Sequence, residues 1–268
     1  MTEPDTGWKR VSTLCVTGLK VFSVMSVGMM RLGLHSDVRR LARARCPLLM
    51  GRVRARAYGP GAERPQPYPR PSLQIEAQSR DAALAKFGLE LDRPVLALCP
   101  GAEFGEAKRW PAEHYAAVAD AMIRQGWQVW LFGSKNDHPV GEQIRDRLIP
   151  GLREESSNLA GETSLAEAID LMSCAQAVVS NDSGLMHVAA ALNRPLVAVY
   201  GSTSPGFTPP LAEQVEVVRT GIECSPCFDR TCRFGHYNCL RLLQPDSVIA
   251  ALHSLSGPGL IDAVVEVE

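Results

Sequence analysis

A polar turn between two apolar segments holds the residues whose types and spacing best suit chemistry. The apolar run that starts at Ala177 ends in the turn Asn181–Gly184, and an alanine-rich segment carrying His187 follows. This change of pattern predicts a strand, a tight turn and a helix. The start of a helix presents unpaired backbone N–H groups and the positive end of the helix dipole, so the turn is a natural site for an anion.

Each residue of this turn also has a plainer interpretation. Ser183 and Gly184 could donate backbone N–H groups to a phosphate, and Asp182 could accept hydroxyl groups of a sugar. Asp182 could equally be the N-cap of the helix, and His187 could be a core histidine whose hydrogen bonds are satisfied. The turn alone therefore predicts an anion site without naming the anion.

Three further loops carry polar residues that suit a phosphate or a sugar. Lys108 follows glycines that allow the backbone to approach a ligand closely, and a lysine there suits a phosphate. Ser134 follows Gly133 after a second apolar run, and Thr203 and Thr208 follow a third. An ordinary solvated loop explains each of these residues equally well when it is considered alone.

The elements that must position these loops alternate between strand and helix, which predicts an α/β fold with a parallel sheet and helices on both faces. The predicted strands are 94–99, 127–132, 158–161, 177–180, 195–200 and 215–219, and the predicted helices are 78–87, 111–124, 139–148, 164–174, 184–192 and 245–255. In such sheets, ligands bind at the carboxyl ends of the strands. All four polar loops follow predicted strands, and this coincidence is the strongest physical argument for a binding site.

Four cysteines and a histidine crowd into a short segment near the C-terminus. Cys224, Cys227, Cys232 and Cys239 lie within sixteen residues, with His236 between the last two. This density is typical of a zinc or iron–sulfur site, although the spacing matches no standard zinc finger. The alternative is a set of reduced thiols in a structured loop.

The composition excludes several classes of protein. Of 268 residues, 46% are hydrophobic and 21% are charged, which suits a folded protein with a sizeable core. The net charge of −1 gives no general reason to expect nucleic-acid binding. The chain has no GxxxxGK[ST] phosphate loop, no GxGxxG after the first strand and no GxSxG turn. We therefore expect neither a nicotinamide dehydrogenase nor an α/β-hydrolase.

Residues 1–75 differ from the rest of the chain. Residues 31–70 contain ten arginines and no lysine, and Gly59–Pro71 contains five prolines. This composition predicts a loop, a linker or a poorly ordered arm. The segment Leu14–Leu34 is fairly apolar but includes a lysine and an arginine, so it is weaker than the run of about 20 apolar residues that typifies a membrane-spanning helix.

Five segments closely resemble the heptosyltransferases of glycosyltransferase family 9. They are Cys99–Pro111, Leu131–Ser134, Asn158–Thr163, Ser180–Leu192 and Tyr200–Pro205. The resemblance implies the GT-B fold, in which two Rossmann-like domains enclose the active site and the C-terminal domain binds the donor. It also implies transfer of L-glycero-D-manno-heptose from ADP-heptose to the heptose of the lipopolysaccharide inner core, with inversion at the anomeric centre and no metal in the chemistry.

The resemblance implies roles for the residues of the polar loops. Lys108 would neutralise the diphosphate leaving group, which stabilises developing negative charge. Ser183 and Gly184 would hold the phosphates. Asp182 would bind hydroxyl groups of the heptose, and His187 would support the turn.

Further residues would contact the rest of the substrate. Ser134 and Thr163 would lie near the ribose and adenine, and Ala102 and Glu103 belong to the same implied set of substrate-binding residues. The implied partners are the ADP-heptose donor and a lipopolysaccharide inner-core acceptor at the inner membrane surface. The chain shows no clear secretory signal, so we expect a cytoplasmic protein, placed peripherally at the inner face of the inner membrane by its acceptor.

One part of the family's pattern is not found. In the family that the chain resembles, the N-terminal domain carries the catalytic base, an aspartate in a glycine-rich loop, and no pattern supports Asp5 or Asp37 in that role. We therefore expect an N-terminally truncated chain, with residues 1–75 as a remnant or linker and residues 76–268 as the donor-binding domain, including a cysteine-rich insertion at 222–240. The alternatives are an ADP-sugar-binding fragment without turnover and a metal-binding or regulatory protein.

Overall fold

The computed structural model describes residues 70–260, and a parallel sheet of six strands forms its centre. The strands are β1 (Val95–Cys99), β2 (Gln128–Leu131), β3 (Ser156–Asn158), β4 (Ala177–Asn181), β5 (Leu196–Val199) and β6 (Val215–Val218). Their order across the sheet is β3-β2-β1-β4-β5-β6, and every neighbouring pair is parallel. The predicted α/β fold with a parallel sheet is confirmed.

The four central strands are buried along their whole length. All residues of β1, β2, β4 and β5 are buried, as expected when helices cover both faces of a parallel sheet. Runs such as VLALC in β1 and LVAV in β5 place apolar side chains on both faces. The edge strand β6 has half-buried residues at its two ends and two exposed residues between them, because one of its long sides has no neighbouring strand.

Seven α-helices surround the sheet within the described residues. They are α1 (Ala77–Phe87), α2 (Ala112–Ile123), α3 (His138–Arg145), α4 (Leu165–Met172), α5 (Gly184–Ala191), α6 (Asn238–Arg241) and α7 (Pro245–Leu260). Ser164 is the N-cap of α4 and forms the predicted capping box with Glu167, through bonds of 2.8 and 3.3 Å. Gly88 ends α1 in the left-handed conformation with φ +62°.

The sequence missed the shortest elements. Helix α6 lies at the end of the cysteine-rich segment, and single turns of 3₁₀ helix cover Glu106–Lys108, Lys135–Asp137 and Arg153–Glu155. One turn is too short to show a hydrophobic period, so composition and pattern cannot reveal it. Two of these turns lie in the polar loops after β1 and β2.

The topology creates a crevice between β1 and β4. The chain runs outward from β1 through β2 to β3, then returns to the other side of β1 at β4 and continues outward to β6. The loops after β1 and β4 therefore leave the sheet in opposite directions. This is the switch point at which open α/β sheets bind ligands, and it brings together the loop of Lys108 and the turn of Asp182.

No helix among residues 70–260 combines the length and apolar character needed to span a membrane. The segment Leu14–Leu34, considered above as a span, lies outside the described residues. The same holds for Asp5, Asp37 and most of the predicted N-terminal region 1–75.

Candidate functional site

Lys108 and Asp182 form a buried ion pair at the switch point. Lys108 ends the 3₁₀ turn after β1, and its Nζ lies 2.7 Å from Asp182 Oδ2 and 3.3 Å from the Asp182 carbonyl oxygen. The two side chains are only 11% and 4% exposed. A charge-assisted hydrogen bond that is shielded from water is strong. Removal of either partner leaves the other charge buried and unpaired.

Two threonines from the loop after β5 complete this arrangement, which we call the lysine cluster (Lys108, Asp182, Thr203 and Thr208). Thr203 Oγ1 donates a hydrogen bond of 2.6 Å to Asp182 Oδ2, and Thr208 Oγ1 donates one of 3.0 Å to Oδ1. Three strand-end loops thus meet on one carboxylate. Because a carboxylate accepts about four hydrogen bonds, a sugar hydroxyl would need the remaining lone pair on Oδ1 or would have to displace a partner.

Asn181 holds the lysine cluster in place, and the sequence reasoning gave it no role. Its fully buried amide donates to the Pro100 carbonyl at 2.7 Å and accepts from Trp110 N–H at 3.2 Å and the Tyr115 hydroxyl at 3.1 Å. These bonds tie the loop after β1 to the end of β4. An asparagine at the end of a buried apolar strand was the available signal.

The turn after β4 opens into α5 as predicted. The N-cap of α5 is Ser183, in an extended conformation, and not Asp182, so the N-cap interpretation of Asp182 is wrong. The Ser183 side chain makes no capping bond and lies 3.3 Å from Ser180 Oγ. Gly184 is exposed. The side chain of Ser183 does not cap the first turn of α5, and Gly184 at its start is exposed, so an anion could accept from the N–H groups there.

His187 lies one turn into α5, beside the lysine cluster. Burial lowers the pKa of His187, the negative charge of Asp182 opposes this shift, and the positive charge of Lys108 adds to it. The ring is therefore neutral at pH 7, which suits a residue that supports the turn without carrying charge.

A second polar group, which we call the serine cluster (Arg109, Ser134 and Asp137), lies at the ends of β1 and β2. Asp137 Oδ2 accepts from the backbone N–H of Ser134 at 2.9 Å and from its hydroxyl at 2.7 Å. The carboxylate packs so closely over Gly101 that a Cβ there would lie 2.5 Å from it. Asp137 is buried, whereas Ser134 is exposed. Sequence reasoning missed Asp137 because it sits in a short polar turn.

Arg109 reaches the serine cluster from the loop that carries Lys108. One guanidinium nitrogen lies 3.8 Å from Asp137 Oδ1, and its buried Nε has no hydrogen-bond partner in the structure. Consecutive cations of one loop thus point to opposite sides of β1. Lys108 faces the β4 side and Arg109 faces the β2 side.

The remaining predicted substrate residues occupy the same edge of the sheet. Thr163 is half-buried after β3, and its hydroxyl donates to the Leu159 carbonyl at 3.2 Å. Ala102 is buried and Glu103 is exposed in the loop after β1. Their contacts within the protein assign neither of them a role, so their part in binding stays a prediction.

The four clustered cysteines face one small cavity. It is also lined by Ala107, Ser202 and His236 and measures about 10 Å³. All four thiols are free. Among residues 70–260, no group of three or more His, Cys, Asp or Glu side chains is arranged to hold a metal ion. The structure therefore gives the predicted zinc or iron–sulfur site no support, and the alternative of reduced thiols in a structured loop fits it.

The thiols of this cavity differ in their acidity. Burial, followed by the charges of its three neighbours, raises the pKa of Cys239 to about 11. Burial also acts to raise the pKa of Cys232, but backbone groups of Tyr237, Phe234 and His236 that hydrogen-bond its sulfur reverse this effect, and the net pKa is lowered. Cys232 is thus the more readily ionised of the two thiols.

Comparison with known proteins places these features in one family. The family model for "Glycosyltransferase family 9 (heptosyltransferase)" matches residues 13–238, so the match begins well before the five segments quoted above. Lipopolysaccharide heptosyltransferase 2 of Salmonella typhimurium is 44% identical over 233 residues, which cover 85% of this chain and 67% of that protein. Lipooligosaccharide heptosyltransferase 2 of Haemophilus influenzae is 52% identical over 157 residues, which cover 57% of this chain and 45% of that protein.

Solved structures agree with this relationship. The structure of Escherichia coli ADP-heptose lipopolysaccharide heptosyltransferase II matches with a TM-score of 0.70 and 44% identity, covering 85% of this chain and 68% of that one. A family 9 glycosyltransferase from Veillonella parvula matches with a TM-score of 0.60 and 26% identity, covering 69% of this chain and 53% of that one.

Proposed function

Because the chain belongs to glycosyltransferase family 9, we propose that it is a heptosyltransferase that moves heptose from ADP-heptose onto the heptose of the lipopolysaccharide inner core. The lysine cluster is the observation that carries this proposal. It combines one buried cation and two hydroxyl groups at the switch point of the sheet, next to the N-terminus of α5. These are the groups that a sugar linked through a diphosphate requires.

The lysine cluster suits the departure of a nucleoside diphosphate. When the bond from the anomeric carbon to the diphosphate oxygen breaks, negative charge grows on that oxygen. Lys108 and the first N–H groups of α5 stabilise this charge in the transition state. The acceptor hydroxyl attacks from the opposite face of the sugar, which inverts the anomeric centre, and its proton passes to a base that we assign to no described residue.

The Asp182 carboxylate has two tasks in this scheme. It holds the Lys108 ammonium group in position before the donor arrives, and its remaining lone pair accepts from a heptose hydroxyl. Ser183 and Gly184 supply N–H groups to the phosphates, and His187 keeps the turn in place as a neutral ring.

The serine cluster suits the nucleoside half of the donor. Ser134 is exposed while its neighbour Asp137 fixes its orientation, so its oxygen remains free to accept from a ribose hydroxyl. Thr163, from the adjacent loop, faces the adenine side. Ala102 and Glu103 border the same donor from the loop after β1.

A transfer assay tests the proposal. ADP-heptose and an inner-core acceptor ending in heptose are incubated with the chain, and ADP release is measured together with the anomeric configuration of the product by NMR. We expect ADP release coupled to a product with the inverted configuration. Hydrolysis of the donor without transfer, or a product with the retained configuration, would refute the proposed reaction.

No step of the proposed transfer needs a metal, because Lys108 and the backbone N–H groups stabilise the leaving group. The rate of ADP release should therefore stay the same when EDTA is added to the assay. A zinc or iron centre at Cys224, Cys227, Cys232 and Cys239 would be structural only, and metal analysis of the purified chain decides whether it exists.

A position at the membrane surface would follow from the acceptor, and one surface of the chain suits it. Phe234 is 63% exposed, and the exposed cations Arg230, Arg233 and Arg241 lie in the same segment. An exposed aromatic ring among cations favours an anionic lipid surface. Co-sedimentation with vesicles containing anionic lipid should fall for Phe234→Ala, and unchanged co-sedimentation would remove this part of the proposal.

A second candidate function is binding of the ADP-sugar without turnover. One consideration favours it, namely that we assign the catalytic base to none of the residues 70–260 that the structure describes. Tight binding of ADP-heptose with no ADP release in the presence of acceptor would support this function over transfer.

A further inference from the structure

The cysteine-rich segment is hydrogen-bonded directly to the loops that form the lysine cluster. The backbone N–H of Ala107 donates to the Arg230 carbonyl at 3.0 Å, and that of Phe228 donates to the Ser202 carbonyl at 2.7 Å. Ser225 Oγ donates to the Gly201 carbonyl at 2.7 Å. These bonds hold the residue before Lys108 and the residue before Thr203.

The loop after β1 and the cysteine-rich segment are in close contact at Gly105 and Arg230. A Cβ at Gly105 would lie 2.4 Å from the Arg230 carbonyl oxygen, so the loop after β1 packs backbone to backbone against the cysteine-rich segment. Because both sides are backbone, a shift of Arg230 must be transmitted to the turn Glu106–Lys108. The segment therefore sets the position of Lys108.

The small cavity that the four clustered cysteines line, which we call the thiol cavity, borders these contacts. Its lining includes Ala107, which donates one connecting bond to Arg230, and Ser202, which accepts another from Phe228. Ser202 is fully buried, and its Oγ has no hydrogen-bond partner. The four free cysteines therefore border one shared cavity of about 10 Å³.

The segment around the cavity is held by few apolar contacts. None of the residues from Arg219 to Asn238 is fully buried. Apart from Ile222, which packs against the core, and Phe228, whose ring contacts that of Phe207, hydrogen bonds hold this stretch. Such a segment can move at a smaller cost than a core element.

We propose that the thiol cavity is a site of reversible oxidation, where a disulfide between two of its four cysteines weakens donor binding at the lysine cluster. The inference rests on the proposed function, because it takes an ADP-sugar as the ligand of that cluster. It assigns the cavity a chemistry that transfer itself does not use.

The step balances with a small-molecule disulfide as the oxidant. A cavity thiolate attacks one sulfur of the oxidant, its S–S bond breaks, and one small thiolate leaves. A second cavity thiolate then attacks the protein sulfur of the mixed disulfide and expels the second small thiolate. In total, two protein thiols lose two electrons and two protons, and the oxidant is reduced to two thiols.

The coupling to the donor site follows from geometry. Two sulfurs that face each other across a cavity must approach to about 2 Å to form a disulfide. This contraction draws residues 224–239 inward and strains the hydrogen bonds that join this segment to Ala107 and Ser202. Lys108 and Thr203, each the next residue along the chain, then leave the positions that they hold in the reduced protein.

The test measures ADP binding by calorimetry in the reduced chain and after oxidation with hydroxyethyl disulfide, with peptide mapping by mass spectrometry. We expect a disulfide within the set Cys224, Cys227, Cys232 and Cys239, a rise of at least about fivefold in the Kd for ADP, and recovery on reduction. Serine variants of the two bonded cysteines should lose this response. Cys174→Ser, outside the cavity, should keep it.

Three outcomes would overturn the inference. They are a mapped cavity disulfide with an unchanged Kd, a failure of the folded protein to form one, and a purified chain whose four thiols are blocked by a bound metal ion. If the reduced chain itself fails to bind ADP, the proposed function fails, and that result is distinct from any of the three.

Discussion

The lysine cluster and the serine cluster lie on either side of β1, yet they are built differently. In the lysine cluster, a carboxylate 4% exposed meets a lysine at 2.7 Å and two threonine hydroxyls. In the serine cluster, the arginine lies 3.8 Å from its carboxylate, and the serine is exposed. The first is closed and charged, and the second is looser and partly open to solvent.

This difference shows how a single loop can serve two halves of one ligand. Lys108 and Arg109 are adjacent in sequence and point to opposite clusters. A buried cation that a carboxylate already holds in position is preorganised for a diphosphate, whose charge changes during the reaction. A more open group is enough for a nucleoside, whose charge does not change. Stability should therefore depend strongly on the lysine cluster and weakly on the serine cluster.

The largest effect is expected for Asp182→Ala. The variant leaves Lys108 buried without its counter-charge, so the free energy of unfolding should fall by about 3–5 kcal/mol. Urea unfolding followed by circular dichroism measures this change. The matched control is Asp146→Ala, which removes an exposed partner of Arg153 and should cost less than about 1 kcal/mol. Equal losses in the two variants would contradict the closed character of the lysine cluster.

Asn181→Ala should have the next largest effect. The variant removes the hydrogen-bond partner that the buried Pro100 carbonyl, Trp110 N–H and Tyr115 hydroxyl share. The free energy of unfolding should fall by about 2–3 kcal/mol. Urea unfolding measures it, with the exposed Asn136→Ala as the control. A loss no larger than that of the control would mean that Asn181 does not fasten the loop after β1.

Removal of one hydroxyl from each cluster compares them directly. Thr203→Val removes a buried bond to a charged group and should cost about 1.5–3 kcal/mol, whereas Ser134→Ala should cost about 1 kcal/mol or less, because water can replace the exposed hydroxyl. Unfolding free energies of the two variants test this order. A larger loss in Ser134→Ala would reverse the comparison.

The smallest expected effect is the contribution of His187 to the loss of stability at low pH. Because burial holds the pKa of His187 below its ordinary value, the unfolded chain binds a proton at a higher pH than the folded chain does. Stability from this residue is therefore present above about pH 6.5 and is lost as the pH falls below it. Unfolding measured between pH 7.5 and 5 should show a shallower decline for His187→Gln. A slope identical to that of the parent chain would contradict a lowered pKa for the half-buried His187 ring.

Much of the fold could be predicted from the sequence because its elements obey strong periodic rules. The strands β1, β2, β4 and β5 are short apolar runs between polar loops. The α4 capping box is predicted by the spacing of Ser164 and Glu167. The 3₁₀ turns and α6 could not be predicted, because one turn of helix carries no period.

The site was predictable only in part, for a physical reason. A loop at a strand end indicates where a ligand binds, so Lys108, Asp182 and Ser134 could be singled out. The partners of a carboxylate depend on contacts between residues far apart in the chain. Thr203 and Thr208 therefore remained ambiguous, and Asn181 and Asp137 received no role. The density of cysteines suggested a metal centre, whereas the structure has the free thiols lining a cavity without a ligand set for a metal.

The central claim is that Lys108 binds the diphosphate of the donor. Calorimetric titration of ADP into the parent chain, Lys108→Ala and Lys86→Ala tests it most directly, since Lys86 is a lysine in an exposed ion pair with Glu167. We predict a Kd for ADP about tenfold or more above that of the parent for Lys108→Ala, the loss of a charge-assisted bond worth about 1.5–3 kcal/mol, and no change for Lys86→Ala. An unchanged Kd in a folded Lys108→Ala variant would contradict the account.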